Sequence, residues 1–182
     1  MKNKIILVIV TGSIAAYKAA SLVSFLSKEN RVQVLMTRSA IKFITPLTFE
    51  IVSKQRVLTD DIDVVEGVFE KLYPTHVYCA QNCDYIIVAP ATANIIGKVA
   101  NGIADDLASS ALIASTKPVF FIPAMNTNMF LNYATQRNID ILRNDGYHVM
   151  EPDSGELACG DKGIGKFPKT QNIISELEKW RK

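Results

Sequence analysis

Short apolar runs alternate with segments of helical periodicity along most of this chain, and this alternation limits its possible folds more than any other feature. Continuous apolar runs of strand length are typical of parallel sheets that helices cover on both faces. The runs that predict strands are Ile5–Val10, Val32–Met36, Tyr85–Ala89, Val119–Ile122 and Tyr147–Met150. The segments that predict helices are Ile14–Lys28, Pro46–Ser53, Ala93–Val99, Asp106–Ser115 with Asp105 as its N-cap, Thr127–Asn144 and Asn172–Trp180. The sequence therefore predicts an α/β fold, a doubly wound parallel sheet in a Rossmann-like or flavodoxin-like three-layer sandwich.

The length and composition suit one soluble domain. The chain has 182 residues, of which 48% are apolar, and we expect residues 1–182 to form a single domain. Twenty Lys and Arg against 18 Asp and Glu give a net charge of +2 without long runs of either sign, so neither nucleic acid nor a membrane surface is an expected partner. The run Ile5–Val10 is short and β-branched, which favours a buried strand over a signal peptide. The odd number of cysteines favours reduced thiols, so we expect a cytoplasmic protein.

Three loops that follow predicted strands are candidates for a ligand site. They are Thr11–Ile14, Pro90–Asn94 and Pro123–Asn126, and none of them contains a charged residue. Ligands of doubly wound sheets bind outside the carboxyl ends of the strands. Amides, hydroxyls and backbone groups suit a neutral, planar, hydrogen-bonding ring such as a flavin, so we expect no metal site and a mouth with little charge. A loop asparagine can instead cap a helix, an alternative that is weaker for Asn126 than for Asn94.

The first of these loops does not fit a dinucleotide. The G-x-G-x-x-G pattern would need glycine where Ile14 and Tyr17 stand, and the second predicted strand ends without the acidic residue that binds a ribose. A Gly12–Ser13 turn at a helix N-terminus suits one phosphate, and the hydroxyls of Thr37 and Ser39 could add donors. This pattern favours a mononucleotide such as FMN, with a purely structural turn as the alternative.

A glycine-rich segment at about 151–167 predicts a flap that closes over a site. Gly160 to Lys166 formally matches the G-x-x-x-x-G-K of a P-loop, but Phe167 stands where Ser or Thr is required, so ATP binding is disfavoured. Cys159 lies within this segment. A thiol in a flexible, glycine-flanked loop is seldom core filler, so a functional role for Cys159 is favoured.

His76, Cys79 and Cys83 have a spacing that could place them on one helical face, like metal ligands. A zinc site needs a fourth ligand, and the only other histidine, His148, stands in a predicted strand. Helix packing therefore explains the two thiols better. His76 follows Pro74 at a predicted helix start, where the cationic form of the ring is disfavoured. It could act as a base or be an ordinary histidine.

Taken together, these residues resemble the homo-oligomeric flavin-containing cysteine decarboxylases over essentially the whole chain. His76 stands at the position of the family's active-site histidine. The matching motifs are Gly12-Ser13-Ile14-Ala15, Pro90–Asn94 against P-A-S-A-N with Thr92 for Ser, Pro123–Met129 against P-x-M-N-x-x-M with Phe130 where Trp or Tyr is also found, and Ala158-Cys159-Gly160 with Gly163.

The resemblance implies an enzyme with FMN as its cofactor. It is closest to members that decarboxylate 4′-phospho-N-pantothenoylcysteine to 4′-phosphopantetheine in coenzyme A biosynthesis, through a thioaldehyde and an enethiolate. It implies catalytic roles for His76 and Cys159 and substrate binding by Asn126, Ala158 and Gly160. The FMN-binding residues that it implies are Gly12, Ser13, Ile14, Thr37, Ser39, Thr92, Ala93, Asn94 and Ala124.

The resemblance also implies an assembly and leaves other activities open. The family places FMN between subunits, so a homotrimer or higher homo-oligomer is expected. Many bacteria fuse this enzyme to a ligase, and a chain that ends at Lys182 is expected to be the stand-alone decarboxylase. The alternatives are a decarboxylase of C-terminal peptidyl-cysteine, a flavin prenyltransferase, which needs neither Asn126 nor Cys159, and a non-catalytic flavin-binding regulatory subunit.

Overall fold

A computed structural model describes residues 2–66 and 72–180 of the chain. The strands are β1 (Ile5–Val10), β2 (Arg31–Met36), β3 (Val64–Glu66), β4 (Leu72–Pro74), β5 (Tyr85–Ala91), β6 (Val119–Pro123), β7 (His148–Val149), β8 (Asp153–Glu156) and β9 (Lys162–Lys166). The helices are α1 (Ala16–Leu26), α2 (Arg38–Ile41), α3 (Pro46–Ser53), α4 (Thr75–Gln81), α5 (Ala93–Ala100), α6 (Leu107–Ile113), α7 (Thr127–Leu131), α8 (Tyr133–Asn144) and α9 (Thr170–Trp180).

The central sheet has five strands in the order β2-β1-β5-β6-β7, and every neighbouring pair is parallel. Counted along the sheet strands alone, this is the flavodoxin-like order 2-1-3-4-5. The predicted doubly wound α/β fold is therefore confirmed. The strand order reverses at β1, so the loops after β1 and β5 diverge to opposite faces and leave a crevice between them.

The core lies on both faces of this sheet, as the apolar runs predict. In β1, the side chains of Ile6 and Val8 pack into one core cluster with α1 and α9, whereas Leu7 and Ile9 pack into the other with α5, α6 and α8. All four side chains are at most 1% exposed. Burial of each such side chain contributes about 1.5–3 kcal/mol relative to exposure, which fixes the register of β1.

Several predicted element boundaries are wrong. The last sheet strand is only His148–Val149 rather than Tyr147–Met150. The predicted helix Thr127–Asn144 is two helices, because Asn132 takes an extended conformation and its Oδ1 accepts a hydrogen bond from the Ala134 N–H at 2.9 Å. The N-cap of α6 is Asp106 and not Asp105, since the Asp106 carboxylate accepts the Ser109 N–H.

Two small antiparallel ladders lie outside the central sheet. β3 pairs with β4, and β8 pairs with β9. No apolar run in the sequence predicts these strands, because β8 and β9 lie in the glycine-rich segment and β3 and β4 have only three residues each. No helix in the described ranges is long and apolar enough to cross a lipid bilayer.

Candidate functional site

The carboxyl ends of β1 and β5 are joined by the side chain of Thr11. Its Oγ1 donates to the Pro90 carbonyl at 2.6 Å and accepts the backbone N–H of Thr92 at 3.2 Å. Thr11 is only 2% exposed, so these bonds are protected from water and hold the two loops in register. Thr92 in turn caps α5, since its side chain accepts the Ile95 N–H.

The turn after β1 lies directly against the residues that follow β2. A Cβ atom on Gly12 would collide with the Ser39 side chain, so only glycine permits this approach. Thr37 caps α2, with its Oγ1 accepting the Ala40 N–H at 3.3 Å. The sequence predicts a phosphate-binding role for these hydroxyl and backbone groups, and the structure brings them to one place.

A cavity of about 840 Å³ opens at this edge of the sheet, and we call it the first cavity. Its size is in the range of small-molecule sites. The predicted site residues that line it are Gly12, Ser13, Thr37, Ser39, His76, Thr92, Asn94 and Ala124. Ala93 is instead the first residue of α5, and Asn94 faces the cavity while Thr92 takes the cap position.

The first cavity is more charged than the sequence analysis expected, and that expectation is wrong. Arg38, Asp60, Lys98, Asp105 and Asp106 all line it. The Lys98 ammonium lies 2.6 Å from a carboxylate oxygen of Asp105 and 2.6 Å from one of Asp106, the two residues directly before α6. The Nε of Arg38 lies 3.5 Å from a carboxylate oxygen of Asp60. The loops themselves are uncharged; the charges come from helical and connecting residues, which loop composition alone does not reveal.

Hydrogen bonds within this charged cluster shift the pKa values of Asp106 and Lys98. Burial acts to raise the pKa of Asp106, but hydrogen bonds from Lys98 and Ser109 outweigh it and hold that pKa below its usual value. The pKa of Lys98 is raised, because its bonds to Asp105 and Asp106 outweigh the lowering effect of burial. Lys98 and Asp106 are therefore both charged at neutral pH, and their ion pair ties α5 to the start of α6 beside the cavity.

His76 reaches the first cavity from the second position of α4. The residue before it, Thr75, is 1% exposed, and its side chain donates to the Ile62 carbonyl while its backbone N–H donates to Asp63. The β3–β4 ladder ends at Pro74, directly before α4. His76 is therefore held at a helix start on the cavity wall, as the sequence predicts.

The two ends of the Asn126 side-chain amide make different contacts. Its Oδ1 accepts the Asn128 N–H at 2.8 Å and so caps α7, a role that the sequence analysis considered weaker for this residue than for Asn94. Its Nδ2 lies 3.3 Å from the Sγ of Cys159 and 3.3 Å from a carboxylate oxygen of Asp161. The Cys159 thiol also donates to that Asp161 oxygen at 3.3 Å. The structure thus brings Asn126, Cys159 and Asp161 together.

The glycine-rich segment is a hairpin of β8 and β9 with Cys159 in its turn. A Cβ atom on Gly163 would collide with Thr127, and one on Gly165 would collide with the Met125 carbonyl. The Met125 N–H donates to the Gly165 carbonyl at 3.0 Å. These glycines let the hairpin lie directly on the loop that carries Asn126, and Gly160 lies in the turn beside Cys159.

A second cavity of about 620 Å³ lies beneath this hairpin. The predicted residues that line it are Ser13, Ile14, Ala124, Asn126, Ala158 and Cys159. Ser13, Ala124 and Met125 line both cavities, so the two are neighbours across one loop pair. His76 and Cys159 of one chain therefore face different, adjoining cavities.

Cys79 and Cys83 are buried thiols away from this chemistry. The Cys83 thiol donates to the Cys79 carbonyl at 3.4 Å. Burial, with a smaller contribution from Cys83, raises the pKa of Cys79 to about 12, and burial raises the pKa of Cys83 to about 11. Within residues 2–66 and 72–180, no group of three or more His, Cys, Asp or Glu side chains is arranged to hold a metal ion.

Sequence reasoning missed Asp161 and Lys98 as members of the site. Asp161 stands two residues after Cys159, and a carboxylate so close to a candidate thiol is a signal that could have been read. Lys98 lies one turn after Asn94 on α5, which places both residues on one helical face.

Known proteins match nearly the whole chain. The profile of the flavoprotein family matches residues 1–182. A coenzyme A biosynthesis bifunctional protein of Bacillus subtilis is 45% identical over 183 residues, which cover 98% of this chain and 43% of that protein. A probable phosphopantothenoylcysteine decarboxylase of Streptococcus mutans is 41% identical over 184 residues, which cover 97% of this chain and 98% of that protein. The chain thus spans less than half the length of the bifunctional relative.

Solved structures agree with the observed fold. A mutant PPC decarboxylase complexed with pantothenoylaminoethenethiol superposes with a TM-score of 0.86 at 28% identity, with 100% of both chains covered. The FMN binding protein AtHal3 superposes with a TM-score of 0.83 at 29% identity, with 98% of this chain and 97% of that chain covered.

Proposed function

The chain belongs to the flavoprotein family, and on that premise we propose that it catalyses the FMN-dependent decarboxylation of 4′-phospho-N-pantothenoylcysteine to 4′-phosphopantetheine. One observation carries this proposal above the others: the Asn126 amide lies 3.3 Å from the Cys159 thiol, at a cavity that adjoins the phosphate-type turn. This arrangement places a donor for an anionic substrate group beside a proton donor. It is also the pair that a flavin prenyltransferase does not need.

The residues of the first cavity fit FMN. Gly12 lets the turn after β1 lie directly against Ser39, and the hydroxyls of Ser13, Thr37 and Ser39 are donors suited to one phosphate monoester. Thr92, Asn94 and Ala124 offer hydroxyl, amide and small apolar surfaces to a planar ring. FMN supplies, when bound, the reversible oxidation of the substrate thiol that makes loss of CO2 feasible.

The chain's own residues bind the substrate and control its protons. The Nδ2 of Asn126 is a donor for the substrate carboxylate, and Ala158 and Gly160 flank the thiol in the hairpin that covers the site. The Sγ–H of Cys159 is the proton source for the enethiolate left after CO2 departs. His76, on the wall of the first cavity, serves the preceding oxidation of the thiol as a base or by positioning the substrate.

A homo-oligomer completes this proposal, as a trimer or a higher assembly with FMN between subunits. Met129 lines the first cavity and is 49% exposed, and Leu131 and Tyr133, which follow it closely in the chain, are 59% and 84% exposed. His76 and Cys159 of one chain face different cavities, which supports a site completed by a second copy. If light scattering of the purified protein gave the mass of a single chain, the proposed homo-oligomer would be wrong.

The free thiols support a cytoplasmic location.

The proposal is tested with the purified protein and two substrates. Flavin absorption bands in the purified protein would be followed by a CO2 assay with 4′-phospho-N-pantothenoylcysteine and with a peptide that ends in cysteine. We expect CO2 from the first substrate and formation of 4′-phosphopantetheine. CO2 from the peptide alone would replace the proposed substrate, and bound flavin without CO2 from either would indicate a regulatory subunit.

A further inference from the structure

The second cavity carries two lysines that the chemistry described above does not use. Lys18 of α1 and Lys166 of β9 both line it and are half-buried. We propose that Lys18 and Lys166 bind the terminal phosphate of the substrate, so that this cavity selects phosphorylated over unphosphorylated pantothenoylcysteine. This inference rests on the proposed function and assigns the substrate phosphate a site of its own.

The two lysines have no carboxylate partner within ion-pair distance in the described part of the chain, and Glu156 is the one acidic residue among those that line the second cavity. The first cavity differs, since its Lys98 is paired with two aspartates and its Arg38 with Asp60. Unpaired ammonium groups are therefore available to an anion in the second cavity and not in the first.

Local structure directs both ammonium groups. The Nζ of Lys166 extends over Gly155, where a Cβ atom would come within 3.2 Å of it, so glycine leaves room for the lysine side chain. The Nζ of Lys18 lies 5.9 Å from the centre of the Tyr17 ring, which is within cation–π range and limits its freedom. The two side chains come from different elements, Lys166 from the hairpin and Lys18 from the first helix.

The dimensions suit an anion at the far end of the substrate. The substrate carboxylate belongs near Asn126, and the arm beyond its cysteine is uncharged as far as the phosphate. That arm extends about 14 Å, counting three of its bonds as one extended residue. Cys159, Lys18 and Lys166 line one cavity of about 620 Å³. An arm of this length is therefore long enough to cross the cavity from Cys159 to the lysines.

The test compares two substrates in three variants. Lys18→Gln, Lys166→Gln and the double variant would be assayed for CO2 release from pantothenoylcysteine with and without its 4′-phosphate. We expect the KM for the phosphorylated substrate to rise about tenfold for each single variant, because a charge-assisted bond is lost, while kcat changes little. The KM for the unphosphorylated substrate should stay within about twofold of the wild-type value.

Lys28→Gln is the matched control. Lys28 also places its ammonium over an aromatic ring, that of Phe25 at 5.7 Å, but it follows the opposite end of α1 and lines neither cavity of the site. Its KM for both substrates should be unchanged. Equal effects of the Lys18 and Lys166 variants on the two substrates, or no effect on either, would overturn the phosphate site. Absence of CO2 from wild-type protein with both substrates would instead overturn the proposed function.

Discussion

The amide nitrogen of Asn126 lies 3.3 Å from the sulfur of Cys159, although 33 residues separate them along the chain. The contact exists because Gly163 and Gly165 let the β8–β9 hairpin lie on the loop after β6. A thiol exposed on a hairpin turn thus acquires a fixed neighbour that can orient a substrate. This geometry makes Cys159 the residue whose replacement is most informative.

Cys159→Ser should stall the reaction after decarboxylation. A serine hydroxyl is a much poorer proton donor to an enethiolate than a thiol, whereas the residues that serve the earlier steps are unchanged. We expect CO2 and an oxidised enethiol, with 4′-phosphopantetheine reduced by roughly a hundredfold or more. Mass spectrometry of the products measures both. Ser154→Ala, on the same hairpin but outside the cavity lining, should turn over normally. Normal product formation by Cys159→Ser would contradict the assignment.

Asp161 should act as a positioning residue for Cys159. Its carboxylate oxygen accepts both the Cys159 thiol and the Asn126 amide at 3.3 Å. Asp161→Ala removes both bonds, so product formation should fall about tenfold or more while CO2 release falls less. Asp161→Asn keeps an acceptor oxygen and should recover part of the loss. The ratio of product to CO2 is the readout, and a purely structural role for Asp161 would lower both together.

The sequence predicts more of the sheet than of the site. Buried strands such as Ile5–Val10 can be predicted because every residue is apolar, as expected for a strand that helices cover on both faces. The hairpin around Cys159 cannot be predicted from the sequence, because its strands are polar and its register depends on close approaches at Gly163 and Gly165. The charges around Lys98 escape prediction for a related reason, since they meet only when the helices pack.

Thiol labelling should separate the three cysteines. Cys159 is exposed, whereas Cys79 and Cys83 are buried with their pKa values raised to about 12 and 11. The thiolate is the reactive form, so at pH 8 the native protein should react rapidly at one thiol per chain and at three only after unfolding in urea. The Cys159→Ser variant should show no rapid reaction. Rapid native labelling in that variant would show that the buried pair is accessible.

The two histidines of the chain form a matched pair for mutation. His76 lines the first cavity, whereas His148 bonds Glu176 at 2.9 Å and stacks on Phe120 away from it. His76→Asn should block CO2 release, by a factor of about a hundred or more, and retain the yellow colour of bound FMN. His148→Asn should release CO2 at nearly the normal rate. A colourless His76→Asn protein would show that this histidine supports the fold of the cofactor site.

The aspartates at the start of α6 should differ in their contribution to stability. Asp106 accepts the Ser109 N–H in a capping box and pairs with Lys98, with its side chain 20% exposed; Asp105 pairs with the same lysine and is 58% exposed. Asp106→Ala should therefore lower the free energy of unfolding by about 1–2 kcal/mol, and Asp105→Ala by less than about 1 kcal/mol. Urea denaturation at one fixed protein concentration measures both.

Acid should narrow the difference in unfolding free energy between the wild-type protein and Asp106→Ala. The pKa of Asp106 is lower in the folded protein than its ordinary value, so its ionised form stabilises the fold at neutral pH. That contribution is present above the unfolded pKa of about 3.9 and is lost as the pH falls through the lower folded value. Urea curves at pH 7, 5 and 3.5 should thus show the gap in unfolding free energy narrowing only at the acid end. A gap that stays constant to pH 3.5 would mean that the Asp106 carboxylate is not the stabilising group, and that the alanine variant loses packing instead.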